Sequence, residues 1–183
     1  MTLNRGDYNA RVDDRAPTVI RGDVTPLASS PSTLLVCTAN VCRSPMAEAL
    51  WRDTARRLRR TLPVASVGLD AEPGTPPDPV CVELLAERGI DLGEHRANRF
   101  RAASAMRYEL VLVMEHEHLR RIMGLAPALA GRVHLLGRWG AGPIDDPTGA
   151  TRSAYEDCVA RLDRSVIAWM NRIVSTNDAT ASR

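Results

Sequence analysis

A short polar turn between an apolar run and an amphipathic helix constrains the fold of this chain more than any other feature of its sequence. Residues 33–36 have the length and composition of a buried strand, and Pro45 is a natural first residue for the helix that follows. Residues 37–44 are therefore expected to form a turn whose backbone N–H groups converge at a helix N-terminus. Such a turn binds oxyanions, and the sequence predicts a phosphate-binding loop after the first strand.

Three side chains of this turn predict chemistry on a bound phosphate. The positive field of the turn is expected to lower the pKa of the Cys37 thiol, into the range of roughly 3.5–7.5 found for activated cysteines. Arg43 offers a planar fork that pairs with two phosphate oxygens. Ser44 can donate a hydrogen bond to the thiolate. The turn thus predicts attack of Cys37 on phosphorus and a phosphocysteine intermediate.

A proton donor for the leaving oxygen is expected on a separate loop. The Gly- and Pro-rich segment 137–150 carries Asp145 and Asp146 directly before Pro147, and either carboxyl group can act as this acid and later as base for water. The chain shows no obvious carboxylate or His/Cys cluster for a metal, so we expect neither a metal nor another cofactor.

Strand and helix patterns alternate along the rest of the chain. This alternation predicts an α/β fold with a doubly wound four-stranded parallel sheet and helices on both faces. In such sheets the site lies beyond the carboxyl ends of the strands, where the turn at Cys37 falls. After the first strand, the predicted strands are 64–67, 109–114 and 132–136.

Turn and capping residues predict where the helices begin and end. Asp78 is expected to cap the second helix, with Pro79 as its first residue and Gly89 after its end. A short helix is expected over 117–123, ending at Gly124. A Ser-x-x-Glu capping box at residues 153–156 is expected to open the last helix.

Apolar stripes at helical spacing predict which helix faces are buried. In the first helix the stripe is Ala47, Leu50, Thr54 and Leu58, opposite a solvated arginine face. In the second it is Cys81, Leu84 and Leu85. In the last it is Tyr155, Val159, Leu162, Val166, Trp169, Met170 and Ile173.

The length of 183 residues suits one domain. We expect this domain to span 32–175, with a flexible extension over 1–31 and a disordered tail over 176–183. A net charge of +2 predicts no general attraction to nucleic acid or membranes, and no apolar run is long enough to span a bilayer. The four cysteines show no disulfide-framework or zinc spacing, which favours a cytoplasmic protein.

The sequence from Val36 to Glu48, Val-Cys-Thr-Ala-Asn-Val-Cys-Arg-Ser-Pro-Met-Ala-Glu, closely resembles the signature of the low-molecular-weight protein tyrosine phosphatases. The similarity runs from about residue 33 to residue 173 and includes the Ile-Asp-Asp-Pro sequence at 144–147. The resemblance implies a phosphomonoesterase with Cys37 as nucleophile and Arg43 as phosphate clamp. It also selects Asp146, directly before the proline, as the acid.

The resemblance further implies roles for the remaining residues of the loop. The phosphate-binding set would be Thr38, Ala39, Asn40, Val41, Cys42, Arg43 and Ser44, and the residues supporting the loop would be Asn40, Ser44, Ser66 and His95. Cys42 matches the second loop cysteine of the family, which can trap an oxidised nucleophile as a reversible disulfide.

The chain departs from the family pattern around the substrate. Family members usually carry aromatic residues after Asp-Pro and in the loop after the second strand, and these rings stack on phosphotyrosine. Here Thr148-Gly149 and residues 69–73 contain no ring. We therefore expect weak discrimination between aryl and alkyl phosphates. A phosphorylated protein and a small phosphate ester remain alternative substrates.

Two other functions use similar residues. Arsenate reduction needs a closely spaced pair of additional cysteines on a flexible segment after the third strand, but residues 114–130 contain no cysteine. A non-catalytic redox sensor built on Cys37 and Cys42 is the third alternative. Both are disfavoured, because every group needed for phosphate ester hydrolysis is present in the sequence.

Overall fold

The structure is a computed structural model that describes residues 31–181. All but the last residue of the extension expected over 1–31 lies outside the described residues. No helix among the described residues has the length and apolar character needed to cross a membrane.

Four parallel strands form the centre of the molecule, in the order β2-β1-β3-β4, and confirm the predicted sheet. The middle strands β1 and β3 consist entirely of buried residues, as their continuous apolar runs require. The strands are β1 (Thr33–Cys37), β2 (Val64–Gly68), β3 (Leu110–Val113) and β4 (Val133–Leu135).

Helices cover both faces of the sheet and bury two apolar clusters. Successive residues of a strand point to opposite faces, so Leu35 of β1 packs with α1, α2 and α5, whereas Leu34 and Val36 pack with α3 and α4. The helices are α1 (Arg43–Arg57), α2 (Pro79–Ala86), α3 (Ala102–Ala105), α4 (His116–Leu125) and α5 (Arg152–Ala181), with a 3₁₀ turn at Pro127–Leu129.

The predicted beginning of the first helix is wrong by two residues. The structure begins α1 at Arg43 with Cys42 as its N-cap, so Pro45 is the third helical residue. Proline is tolerated there because the first N–H groups of a helix have no intrahelical partner. The predicted burial of Leu58 is also wrong: this residue follows the end of the helix and is 44% exposed.

The second helix begins as predicted. Asp78 caps α2 by accepting a hydrogen bond from Val80 N, and Pro79 is the first helical residue. Gly89 follows with φ of 71°, a left-handed conformation in which glycine is unstrained. The predicted core residues of this helix, Cys81, Leu84 and Leu85, are buried.

Two helix signals in the second half of the chain are wrong. Because α5 begins at Arg152, Ser153 lies inside its first turn and the predicted capping box does not open the helix. α4 runs through Gly124 to Leu125 and has a capping box of its own, built from Glu115 and His118.

Every residue of the apolar stripe predicted for the last helix is buried. The helix continues to Ala181, past the end of that stripe and past residue 175, where the sequence analysis ends the domain.

Candidate active site

In the turn between β1 and α1, several backbone carbonyl groups accept hydrogen bonds from backbone N–H groups outside the turn. Cys37 O accepts from Leu69 N, Thr38 O from Asp70 N at 2.9 Å, and Val41 O from Asp78 N at 2.8 Å. Within one peptide the N–H points away from the carbonyl. In the peptides whose carbonyl groups bond to the surrounding backbone, the N–H groups therefore face the centre of the turn. Converging N–H groups of this kind form a binding site for an anion. We call residues 37–44 the phosphate loop.

Asn40 is the anchor of the phosphate loop. Its φ of 57° is a left-handed conformation that asparagine adopts more readily than most residues. Its side-chain amide donates to Ser44 Oγ at 2.8 Å and to Ser66 Oγ at 2.9 Å, and its Oδ1 accepts from Asn98 N. His95 Nε2 lies 2.9 Å from Asn40 O. The structure thus brings together the four residues expected to support the loop.

Gly68 lets β2 pass directly under the phosphate loop. A Cβ atom at this position would lie 2.5 Å from Thr38 O and 2.8 Å from Asn40 N. Both of these are backbone atoms that cannot turn away, so the close approach requires glycine. The strand predicted from the sequence ends at residue 67, so this role of Gly68 is visible only in the structure.

The Cys37 thiol lies at the base of the loop, 3.0 Å from Ser44 Oγ and 3.3 Å from Asn40 N. Burial raises the pKa of Cys37, and the hydrogen bonds from Ser44 and the charge of Arg43 only partly oppose it. The expected lowering of this pKa is therefore wrong for this structure. The reason is that the buried thiol would lose its hydration on ionisation, which disfavours the thiolate.

The Arg43 side chain is buried and held by groups from two other loops. Nη1 contacts the Glu115 carboxylate and donates to Ile144 O at 3.0 Å. Nη2 lies 2.6 Å from Asp146 Oδ2 and 3.5 Å from Thr38 Oγ1. Nε is buried and has no hydrogen-bond partner among the described residues. A buried N–H without an acceptor is costly, so this atom needs an anionic or polar partner such as a phosphate oxygen.

The two adjacent aspartates have different surroundings. Asp146 faces Arg43 and is oriented by Thr148, whose hydroxyl donates to Asp146 Oδ1 at 2.8 Å. Asp145 is 86% exposed and points to Arg161 at 3.5 Å. The structure therefore places Asp146, and not Asp145, beside the phosphate loop. Burial raises the pKa of Asp146, but Thr148 and Arg43 lower it further, and the net direction is downward.

The loop that carries Asp146 is connected to the phosphate loop through a buried tyrosine. The Tyr155 hydroxyl accepts from Gly149 N at 3.2 Å and donates to Asp78 Oδ2 at 2.9 Å. Asp78 N in turn donates to Val41 O. This chain of hydrogen bonds sets the position of the aspartate loop relative to the phosphate loop.

Glu115 and His118 are site residues that the sequence analysis did not include. His118 Nδ1 accepts from Glu115 N, which leaves the proton on Nε2 to donate to Thr38 Oγ1 at 2.9 Å. Their position just after β3 could have indicated them. The carboxyl ends of parallel strands lie at the same edge of the sheet, so residues after β3 lie near the phosphate loop after β1. His118 thus holds Thr38 of the phosphate loop.

Protonation of His118 should destabilise the fold. Burial, together with the charge of Arg43, lowers the pKa of His118, so the unfolded chain binds a proton that the folded chain excludes. Stability should therefore fall as the pH drops below about 6.5, by up to about 1.4 kcal/mol for each pH unit down to the folded pKa. The free energy of unfolding, measured with denaturant between pH 7.5 and 5, should fall less steeply with decreasing pH in His118→Gln than in the wild type.

The matched control for this prediction is His116→Gln, because His116 is exposed on the same helix. The pKa of His134 is also lowered by burial, but His134 is unchanged in both variants, so the difference between their slopes reports on His118. Equal slopes for the two variants would contradict the prediction.

Cys42 of the phosphate loop has a second cysteine as its neighbour. Its sulfur lies 3.2 Å from the sulfur of Cys81 in α2, and both side chains are buried. Cys158 of α5 belongs to the same apolar cluster. Among the described residues no group of three or more His, Cys, Asp or Glu side chains is arranged to hold a metal ion.

The loops beside the site present polar groups instead of rings. Asp70, next to the phosphate loop, forms a two-pronged ion pair with Arg121 at 2.6 and 2.7 Å. Residues 72–74 and 148–150 are exposed and contain no aromatic side chain. These two loops therefore offer the site no aromatic side chain.

A cysteine at the base of an anion-binding loop between a parallel strand and a helix defines a cysteine-dependent phosphatase. The chain belongs to the low molecular weight phosphotyrosine protein phosphatase family, whose family model matches residues 32–179. The protein is accordingly a phosphatase of this family that uses a cysteine for catalysis.

Similar proteins agree with this assignment. The chain is 42% identical over 143 residues to the probable low molecular weight protein-tyrosine-phosphatase EpsP of Ralstonia solanacearum, which covers 76% of this chain and 94% of that protein. It is 36% identical over 137 residues to the low molecular weight protein-tyrosine-phosphatase Wzb of Salmonella typhimurium, covering 74% and 89%. The structure of Vibrio vulnificus Wzb in complex with benzylphosphonate superposes with a TM-score of 0.73 at 30% identity, covering 78% of this chain and 99% of that one.

Proposed function

We propose that the protein hydrolyses phosphate monoesters with Cys37 as nucleophile, Arg43 as phosphate clamp and Asp146 as general acid and base. The observation that carries this proposal is the buried Nε of Arg43, which has no partner within residues 31–181. Glu115 and Ile144 occupy Nη1, so the Nε and Nη2 edge is the one that can pair with two phosphate oxygens.

Binding of a phosphate prepares the acid and the nucleophile together. The phosphate oxygens replace Asp146 at Arg43 Nη2, which removes an interaction that lowers the pKa of Asp146. The carboxyl group can then hold a proton. The thiolate of Cys37 is favoured by its hydrogen bonds with Ser44 and Asn40 and by the charge of Arg43.

In the first step the Cys37 thiolate attacks phosphorus, and the phosphorus–oxygen bond to the leaving group breaks. Asp146 gives its proton to the leaving oxygen. The inward N–H groups of the loop and Arg43 stabilise the charge on the remaining phosphate oxygens in the transition state. The product of this step is a phosphocysteine at residue 37.

In the second step water replaces the sulfur. The Asp146 carboxylate takes a proton from the water that attacks phosphorus, and the bond between phosphorus and Cys37 breaks. Ser44 Oγ, 3.0 Å from the sulfur, donates to the departing thiolate and makes it a better leaving group. Inorganic phosphate leaves, and Asp146 is again protonated for the next cycle.

We propose phosphotyrosine in a protein as the physiological substrate class. The relatives are named as protein-tyrosine-phosphatases, and the Vibrio vulnificus protein binds benzylphosphonate, a phosphonate that carries an aromatic ring. A small phosphate ester is the second candidate, because residues 70–74 and 148–150 offer no ring for stacking. A cytoplasmic location is supported by cysteines that lack disulfide spacing.

A substrate panel tests these proposals. Ring stacking contributes roughly 0.5–1.5 kcal/mol, so its absence should reduce the preference for aryl substrates by about two- to tenfold. We expect the enzyme to hydrolyse a phosphotyrosine peptide and to discriminate only weakly against sugar and nucleoside monophosphates. The measurement is kcat/KM for each substrate, with Cys37→Ser run in parallel to exclude a contaminating phosphatase.

The other outcomes separate the candidates. A strong preference for the phosphotyrosine peptide would contradict weak discrimination and show that other contacts hold the ring. Turnover of a small ester without turnover of the peptide would favour the second candidate. Failure to hydrolyse any of the panel would overturn the proposed function.

A further inference from the structure

All four cysteines of the chain lie in one apolar cluster beneath the phosphate loop. Within it the sulfur atoms of Cys42 and Cys81 lie 3.2 Å apart. The Cys37 sulfur instead contacts Ser44 Oγ and Asn40 N. Cys42 is therefore next to a second thiol as well as close in sequence to the proposed nucleophile.

The two helix ends that carry this thiol pair are held together. Cys42 is the N-cap of α1, and Cys81 lies in the first turn of α2. The hydrogen bond from Asp78 N to Val41 O, at 2.8 Å, ties the two N-termini to each other. A disulfide bond of about 2.05 Å requires the sulfurs to approach by only about 1 Å, which fits a small side-chain adjustment.

We propose that Cys37, Cys42 and Cys81 form a thiol relay that reduces a hydroperoxide and ends in a Cys42–Cys81 disulfide. The proposal rests on the proposed role of Cys37 as the reactive thiolate at the base of the phosphate loop. Cys81, which the sequence analysis treated only as a buried apolar residue, is the new member of this relay.

The relay has three balanced steps. The Cys37 thiolate attacks the hydroperoxide, the O–O bond breaks, and Cys37 sulfenic acid and an alcohol or water form. The Cys42 thiol condenses with this sulfenic acid, which releases water and forms the Cys37–Cys42 disulfide. Cys81 then attacks the Cys42 sulfur, and Cys37 leaves as a thiolate. Overall, two thiols are oxidised and one hydroperoxide is reduced.

The phosphate loop explains why the oxidant enters through Cys37. All three thiols are buried, with Cys37 and Cys42 each 3% exposed and Cys81 fully buried. The Cys37 sulfur, however, contacts Ser44 Oγ and Asn40 N of the phosphate loop, which admits a ligand in the proposed function. The hydrogen bond from Cys81, together with burial, raises the pKa of Cys42. The consequence of the third step is that Cys37 returns to the thiol form and remains available for phosphate ester hydrolysis.

Disulfide mapping of the full chain tests the relay directly. The protein is treated with an equimolar amount of hydrogen peroxide, alkylated, and digested with trypsin without reduction. Tryptic peptide 22–43 contains both Cys37 and Cys42, whereas Cys81 lies in peptide 61–88. We expect these two peptides to be linked, with an alkylated Cys37. An internal disulfide within 22–43 as the only product would overturn the proposal.

Two buried-cysteine variants separate the relay from a general loss of stability. Cys81→Ala should trap the internal disulfide in peptide 22–43 and lose activity in proportion to the peroxide added. The matched control Cys158→Ala removes a thiol from the same cluster and should behave as wild type. Equal resistance of the two variants to peroxide would contradict the proposal.

The proposed function and the relay fail in different measurements. Hydrolysis of p-nitrophenyl phosphate by the fully reduced protein reports on the proposed function alone. A Cys37→Ala variant reports on the route of oxidation: the relay predicts no link between peptides 22–43 and 61–88 in this variant. A link that still forms without Cys37 would show direct oxidation of the pair and would exclude the relay.

Discussion

Replacing Cys37 by serine should abolish turnover of p-nitrophenyl phosphate, with a loss of kcat of at least about 10³-fold. The serine oxygen would occupy the same place, close to Ser44 Oγ and Asn40 N. Its hydroxyl is a much weaker acid than a thiol, and the loop offers no base to remove its proton. The measurement is the initial rate with wild type and variant at saturating substrate.

The matched control is Cys158→Ser, which changes another buried cysteine in the same apolar cluster. This variant should retain the wild-type rate if it is folded. Because the serine variant of Cys37 keeps the phosphate loop and Arg43, inorganic phosphate should still raise its melting temperature. Unchanged turnover by Cys37→Ser would exclude the phosphocysteine mechanism.

Replacing Asp146 by asparagine should slow the reaction by about 10²- to 10³-fold for substrates with poor leaving groups. The amide occupies the same volume but cannot transfer a proton to the leaving oxygen. p-Nitrophenolate departs without this help, so the loss should be much smaller for p-nitrophenyl phosphate than for an alkyl phosphate. The measurement is the dependence of kcat on leaving-group pKa, which should be steeper in the variant.

Asp145→Asn is the control because this residue is adjacent in sequence but faces Arg161 instead of Arg43. It should have little effect on the leaving-group dependence. The Asp146 variant should also lose one limb of the pH profile of kcat, since that limb reports the protonation of this carboxyl group. If Asp145→Asn produced these changes instead, the assignment of the acid would be wrong.

The sheet and the phosphate loop could be predicted because the sequence patterns that indicate them involve residues close together in the chain. The continuous apolar runs of β1 and β3, each followed by a helix pattern, leave few alternatives to a parallel sheet covered on both faces. The cap at Asp78 with Pro79 was also predicted, since both residues act within one turn. The resemblance around Cys37 then indicated the family.

Helix ends decided by packing were not predictable. Pro45 is a favourable first residue, yet α1 begins two residues earlier, because the hydrogen bonds of the phosphate loop hold Cys42 as N-cap. Ser153 and Glu156 have capping-box spacing, but α5 begins at Arg152. In both places the helix begins before the residue that a local preference of the order of 1 kcal/mol favours.

The sequence alone determined the order of the elements and the chemistry of the phosphate loop, because these depend on residues close together in the chain. Only the tertiary structure decided what surrounds that loop. It distinguished Asp146 from Asp145 by its contact with Arg43, placed Glu115 and His118 at the same edge, and turned Cys42 toward Cys81. These contacts join residues from 39 to 103 positions apart, and no local pattern specifies them. They follow from the meeting of strand ends at one edge of a parallel sheet.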